Sequence, residues 1–130
     1  MIRLALALLA LLFVAGCPVT GNNYPATYAR TACASVFLCV EDPNEIETWF
    51  GYDDEDECIE DQEEQVASSP AYDAYEEGDR EFDADNANAC LDEIDQIRDD
   101  SDCGTMSLGA WLIDAAAEEC SQVFVEPEEE

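Results

Sequence analysis

The chain has 130 residues, including 33 acidic residues and four arginines but no lysine or histidine, and its formal net charge is −29. Four isolated arginines do not form the basic patch that binds nucleic acid or anionic lipid headgroups. The chain also lacks an imidazole base, a histidine metal ligand and a lysine for Schiff-base chemistry. These counts exclude a nucleic-acid-binding protein and several classes of enzyme.

The amino terminus has the pattern of a secretion signal. Arg3 precedes an unbroken apolar run from Leu4 to Val14, and the small residues Ala15 and Gly16 follow. The run is shorter than the ~20 residues that a permanent membrane-spanning helix needs, so residues 1–16 are predicted to be a cleaved signal peptide. The alternative, a buried core helix, is disfavoured because the run has no polar face.

The end of this signal, Val14-Ala15-Gly16-Cys17, resembles the lipobox of bacterial lipoproteins, in which cleavage occurs directly before an obligatory cysteine. The resemblance implies that Cys17 carries three acyl chains, which would anchor the protein to a membrane. Pro18 follows, where lipoproteins retained in the inner membrane usually have Asp, so the expected location is the bacterial outer membrane or cell surface. The alternative is ordinary cleavage that leaves Cys17 as a thiol.

The number of cysteines favours lipidation. Of seven cysteines, one assigned to lipid leaves six, which can form three disulfides in an oxidising compartment: Cys33, Cys39, Cys58, Cys90, Cys103 and Cys120. A zinc site is disfavoured because no close C-x-x-C pair is present. Covalent links also suit a mature chain with three arginines against 33 acidic residues, whose self-repulsion opposes compaction.

The chain divides into four parts. Residues 1–16 are the signal peptide, 17–25 a lipidated cysteine with a polar tether, 26–125 an acidic six-cysteine helical domain, and 126–130 a disordered acidic tail. Apolar residues at steps of three and four predict helices, and no sustained two-residue alternation predicts a strand. The fold class is therefore all-α, a small disulfide-stapled bundle of four to five helices.

The predicted helices follow one another with recognisable starts and stops. Asn44, Ser69 and either Asp83 or Asp85 are candidate N-caps, Gly51 and Gly78 are stop positions, and acids at 53–57 complement a helix dipole. Val123, Phe124 and Val125 are predicted to form a short apolar plug. The predicted helices span about 25–40, 53–66, 71–77, 84–98 and 106–119, and residues 45–50 form a short turn. At Ser69-Pro70 the helix either stops or restarts into 71–77, so the total is four or five.

The disulfide pairing has fifteen alternatives, and helix geometry favours one of them. Cys33 and Cys39 lie about 120° apart around one helix, so they are not expected to bond each other. Cys39 ends the first helix and Cys58 begins a later one, whereas Cys90 and Cys103 bracket a helix end. The predicted pairs are Cys33–Cys120, Cys39–Cys58 and Cys90–Cys103.

The domain as a whole resembles a family of small six-cysteine lipoproteins that gliding, predatory bacteria carry in many copies. The resemblance extends over Cys33–Phe124 and rests on Cys33-Ala-Ser-Val-Phe-Leu-Cys39, Arg80-Glu-Phe-Asp83, Ala87-Asn-Ala-Cys90-Leu91 and Cys120-Ser-Gln-Val-Phe124. It implies secretion and a disulfide-linked helical fold. It implies no activity, because the family has none assigned.

Carboxylates are the only abundant reactive groups. With 33 of them, a pair at the separation of a glycosidase site is expected by chance. The segment from Asp83 to Asn88 begins like a calcium-binding loop, but Ala87 stands at position 5, Asn88 replaces the required glycine, and Ile94 stands where a bidentate glutamate belongs. No catalytic residue, metal site or cofactor is therefore predicted.

These observations predict a lipid-anchored protein of the cell envelope that serves as a structural or interaction module without catalytic activity. Its expected partners are the membrane, through the lipid on Cys17, and a basic protein or divalent cations, but no nucleic acid. The alternatives are an envelope hydrolase that uses carboxylates and a calcium-binding surface protein. The acidity could also be an adaptation to salt, which would carry no information about function.

Overall fold

The computed structural model describes residues 18–99 and 120–128. These residues form five helices and two short strands: α1 (Tyr24–Cys39), α2 (Pro43–Phe50), α3 (Glu55–Ala67), α4 (Pro70–Glu76), β1 (Glu81–Phe82), α5 (Ala84–Asp99) and β2 (Phe124–Val125). The predicted all-α fold is confirmed. The predicted signal peptide, Cys17 and the helix expected at 106–119 lie outside the described residues.

Helix α1 has the buried face that its periodicity predicts. Ala29, Ala32, Cys33 and Val36 are each at most 2% exposed. Pro25 stands in the first turn, where its missing N–H leaves no hydrogen bond unmade. This face packs mainly against α3 and then against α5.

Side-chain caps begin α2 and α4. The Asn44 N–H donates to Asp42 Oδ1 at 2.9 Å, so Asp42 caps α2 and the expected cap at Asn44 is wrong. Pro43 takes the first helical position, which moves the cap one residue upstream of it. Ser69 caps α4 as predicted, because its Oγ accepts from the Tyr72 N–H at 3.3 Å.

Two glycines end helices as the sequence predicts. Gly51 follows α2 with φ 77° and Gly78 follows α4 with φ 86°, both in the left-handed region that favours glycine.

The two strands pair antiparallel, with Glu81 opposite Val125 and Phe82 opposite Phe124. Alternation over two residues is too short to detect, so the sequence did not predict them. The Arg80 guanidinium supports the pairing by donating from Nη1 to the Phe124 carbonyl at 3.0 Å. The strand pair brings the end of the chain onto the helices.

The aromatic part of the core forms around this strand pair. A buried cluster contains Tyr24, Tyr72, Ala87, Val123 and Phe124. The ring of Phe124 lies 5.1 to 5.9 Å from the rings of Tyr24, Tyr72, Tyr75 and Phe82, measured between centroids. The predicted apolar plug at 123–125 is thus confirmed, with Val123 and Phe124 buried.

Residues Pro18–Asn23, here called the N-terminal turn, are folded onto the helices. The Thr20 N–H donates to Asn23 Oδ1 at 2.7 Å, and the Asn23 N–H donates back to Thr20 Oγ1 at 3.3 Å. Gly21 is buried against Tyr75, whose ring and hydroxyl occupy the space that a Cβ at position 21 would need. Within the tether expected at 17–25, residues 18–23 are therefore packed onto the domain and do not form a flexible linker.

In the part of the chain that the structure describes, every helix is too short or too polar to cross a bilayer.

Candidate functional site

Disulfides connect the described elements in a pattern that differs from the predicted one. Cys33 bonds Cys58, with 5.9 Å between Cα atoms, and Cys90 bonds Cys120, with 4.9 Å. The predicted pairs Cys33–Cys120, Cys39–Cys58 and Cys90–Cys103 are therefore wrong. Because disulfides persist in oxidising compartments, these bonds indicate an extracytoplasmic protein.

The helix faces explain the Cys33–Cys58 bond. Cys33 lies on the face of α1 that packs against α3, where Cys58 stands in the first turns of its own helix, and both are at most 1% exposed. Cys39 is six residues further along and about 120° around α1, so it points away from that contact. Proximity in sequence suggested Cys39, but the packing of the two helices selects Cys33.

The strand pair explains the Cys90–Cys120 bond. Cys90 faces the core from α5 and is fully buried. The β1–β2 pairing brings residues 120–125 back to the same region, which places Cys120 beside it. The Cys90–Cys120 bond could not be predicted, because it depends on the β1–β2 pairing, which the sequence did not predict.

Cys39 is disulfide-bonded as well. Cys33, Cys58, Cys90 and Cys120 already bond one another, so the partner of Cys39 lies outside the described residues.

The acidic run at 53–57 serves as a helix start. Asp54 Oδ1 accepts from the Glu57 N–H at 2.8 Å, and Glu57 Oε2 accepts from the Asp53 N–H at 2.8 Å. The first bond is the N-cap of α3 and satisfies one N–H group that a helix end leaves without a partner, while the second ties Glu57 to the residue before the cap. Two carboxylates of the run therefore have structural roles.

The second acidic segment, considered above as a calcium loop, also starts a helix. Asp83 Oδ1 accepts from the Asn86 N–H at 3.0 Å, which identifies Asp83 rather than Asp85 as the cap of α5. The Asn86 side chain donates from Nδ2 to the Gln122 carbonyl at 2.9 Å and so holds the C-terminal segment. Within 18–99 and 120–128, no three His, Cys, Asp or Glu side chains are grouped to hold a metal ion.

An open cleft of about 460 Å³ lies where α1, α3 and the start of α4 meet the C-terminal segment. Its described lining combines aromatic rings with uncharged hydrogen-bonding groups and contains no charged residue. The residues that contribute most to this character are Tyr24, Tyr28, Gln62, Gln65, Ser69 and Phe124.

The tyrosines that line the cleft are uncharged at neutral pH. Burial raises the pKa of Tyr24 and of Tyr28 above the usual value of 10.0, so both phenols stay protonated at neutral pH. The described lining of the cleft contains no carboxylate.

Beside this cleft, Tyr52 belongs to a polar network that the sequence analysis missed. Its hydroxyl donates to Asp61, and it accepts from Gln62 Nε2 at 2.9 Å. Gln65 Nε2 donates to Asp61 Oδ2 at 2.8 Å. Burial, and then the hydrogen bond to the Asp61 carboxylate, raise the pKa of Tyr52. The network holds the loop after α2 against α3.

The N-terminal turn was also missed as a folded element. A pattern in the sequence could have revealed it, because Thr20 and Asn23 have the three-residue spacing of reciprocal capping pairs and stand directly before Tyr24 and Pro25.

No protein-family model matches the chain, and comparisons with curated proteins and with solved structures also find no match.

Proposed function

We propose that the chain is a lipid-anchored module of the bacterial cell envelope, with a structural or interaction role and no catalytic activity. The observation that carries this proposal is the state of its cysteines: Cys33, Cys39, Cys58, Cys90 and Cys120 are all disulfide-bonded. A domain with this covalent framework belongs in an oxidising compartment, where the pattern at residues 1–17 would send it.

The partner of Cys39 in the remaining disulfide determines whether Cys17 is available for lipidation. If Cys39 pairs with Cys103, Cys17 is the one cysteine of seven without a disulfide partner, and it stands at the cleavage position of the lipobox-like sequence. Three acyl chains on this residue would give effectively permanent attachment to the outer membrane or cell surface. The similarity to the six-cysteine lipoproteins agrees with this assignment.

The described surface supports an interaction role over catalysis. Hydrogen bonds at helix starts engage the carboxylates of Asp54, Glu57 and Asp83, which would otherwise be candidates for chemistry, and the described residues that line the cleft are uncharged. Helix α3 exposes Glu60, Glu63 and other carboxylates to solvent, which suits diffuse attraction of divalent cations or a basic protein.

The experiment that tests the proposal is intact mass spectrometry of the native protein extracted from membranes, alkylated before or after reduction. We expect a chain that begins at Cys17, carries three acyl chains, and gains six alkyl groups only after reduction. Absence of the lipid, or alkylation of the unreduced protein, would contradict the proposal.

A single substitution separates the two candidate partners of Cys39. In a Cys103→Ser variant we expect one thiol to react without reduction, at Cys39, while the lipid on Cys17 is retained. Ser101→Ala, a change two residues away in sequence that replaces no cysteine, is the matched control and should give the native pattern. If Cys103→Ser exposes no new thiol, Cys39 is bonded to Cys17 and the lipid assignment is wrong.

A further inference from the structure

The connection between Cys17 and the folded domain is short. Pro18 is covalently next to Cys17, and consecutive Cα atoms are about 3.8 Å apart. The Pro18 carbonyl accepts from Asn23 Nδ2 at 3.2 Å, and the Tyr24 N–H that begins α1 donates to the Thr20 carbonyl at 2.9 Å. Hydrogen bonds therefore fix the backbone from the residue after Cys17 to the first helix.

Side-chain packing fixes the same segment to the core. Val19 packs against the aromatic cluster, and Gly21 is buried against Tyr75. The Tyr75 hydroxyl also donates to Asn22 Oδ1 at 3.4 Å. The N-terminal turn is thus part of the domain and does not act as a free linker.

The N-terminal turn is uncharged, whereas the domain that follows it is strongly acidic. No acidic residue occurs before Glu41, and residues 18–29 carry no charge at all. Asp73 and Glu76 are exposed on α4, the helix that carries Tyr75. An anionic headgroup layer would repel these acids, so only the covalent connection can hold the domain close to it.

We propose that the N-terminal turn holds the domain directly against the lipid headgroup layer, with no flexible spacer between the acyl chains of Cys17 and the folded core. The proposal rests on the lipid attachment proposed above. The membrane then limits how far the domain can tilt and move away, and partners can approach only the surfaces remote from the turn.

Neutron reflectometry on supported bilayers carrying the purified lipidated protein tests this geometry. We expect protein density that begins at the headgroups without an intervening water layer, both in phosphatidylcholine and with anionic phosphatidylglycerol added. Inserting a flexible ten-residue Gly-Ser segment between Cys17 and Pro18 should move the domain outward by roughly 17 Å, the root-mean-square length of such a segment. That displacement should grow with the anionic lipid, because repulsion of the acidic domain is then unopposed.

A second variant releases the turn without lengthening the chain. In Gly21→Ala the new Cβ collides with Tyr75, so residues 18–23 should detach and a water layer should appear beneath the domain. Asn88→Ala, an exposed change on α5, is the matched control and should show none. Circular dichroism checks that both variants keep their helices, and Asn23→Ala, which removes two bonds of the turn, replaces Gly21→Ala if that variant unfolds.

The outcomes distinguish this inference from the proposed function. A native protein that carries the acyl chains but shows the same water layer as the insertion variant overturns the inference and leaves the lipid anchor in place. A preparation whose intact mass lacks the acyl chains overturns the proposed function, and with it the inference.

Discussion

Phe124 stabilises the core more than its place near the end of the chain indicates. It is 5% exposed and its ring contacts four other aromatic rings, two of which, those of Tyr72 and Tyr24, meet it edge to face. Such pairs add stability beyond the apolar area that they bury. One residue therefore joins α1, α4 and β1.

Replacing this side chain should weaken the whole domain. We expect Phe124→Ala to lower the free energy of unfolding by about 3 to 5 kcal/mol, because it leaves a cavity among the rings. Urea denaturation followed by circular dichroism measures the change. Leu38→Ala is the control, since Leu38 is 65% exposed and its loss should cost no more than about 0.5 kcal/mol. Equal effects of the two substitutions would show that the aromatic cluster is not the stabilising core.

The buried tyrosines predict a loss of stability in alkali. Burial raises the pKa of Tyr24, Tyr28 and Tyr72 above the usual 10.0. Below pH 10 these phenols are neutral in both states, whereas at higher pH they ionise in the unfolded chain first, which favours unfolding. The urea midpoint should therefore fall as the pH rises above 10, and less steeply in Tyr24→Phe. A midpoint independent of pH in this range would contradict the prediction, provided that mass spectrometry confirms intact disulfides.

At the scale of the helices, several acids act at helix starts. Asp42, Asp54 and Asp83 each accept a backbone N–H in the first turn of a helix, where a negative charge also complements the helix dipole. These residues contribute to the net charge of the chain and stabilise individual helices at the same time.

A pair of substitutions separates these two contributions at α3. Asp54→Ala removes both the cap and the charge, and we expect it to cost about 1 kcal/mol of stability. Asp54→Asn removes the charge but keeps a capping oxygen, so its cost should be much smaller. Thermal unfolding of the two variants measures the difference. If Asn is as destabilising as Ala, the charge of Asp54 matters and its cap does not.

The helices could be predicted from the sequence because their determinants are local. The start of α5 after Asp83, the stop at Gly78 and the buried stripe of α1 each depend on residues within a few positions of one another. The strands could not be predicted, since Phe82 and Phe124 are far apart in sequence and their pairing requires the folded helices.

The difference between local patterns and contacts of distant residues also limits what the sequence could predict about the candidate site. The number of cysteines predicted disulfides correctly, but the partner of Cys33 depends on which face of α1 meets α3. The cleft, likewise, gathers Tyr24, Gln62 and Phe124 from three separate segments. Such arrangements come from tertiary packing, which periodicity and capping do not report.

For the molecule as a whole, charge repulsion adds to the conformational entropy that opposes folding. A net charge of −29 on 130 residues destabilises the compact state, and the disulfides offset this by restricting the unfolded chain. The bond between Cys33 and Cys58, 25 residues apart, contributes roughly 3 kcal/mol in this way.

Salt should consequently stabilise the protein. Raising sodium chloride from about 0.01 M to about 1 M shortens the screening length from about 30 Å to about 3 Å. We expect Tm to rise by several degrees, measured by differential scanning calorimetry. Calcium chloride at matched ionic strength is the comparison, and a much larger rise with calcium would indicate a specific site in place of general screening. An unchanged Tm would show that repulsion is negligible.

The contact between Tyr24 and Phe124 has a consequence for the order of events during export. A chain that leaves the cytoplasm amino terminus first delivers Tyr24 about 100 residues before the ring that packs against it. The aromatic cluster and the Cys90–Cys120 bond can therefore form only after residues 120–124 have emerged, whereas the residues of the Cys33–Cys58 bond emerge more than 60 residues earlier. The two disulfides thus become possible at different stages of export, and the aromatic core is completed last.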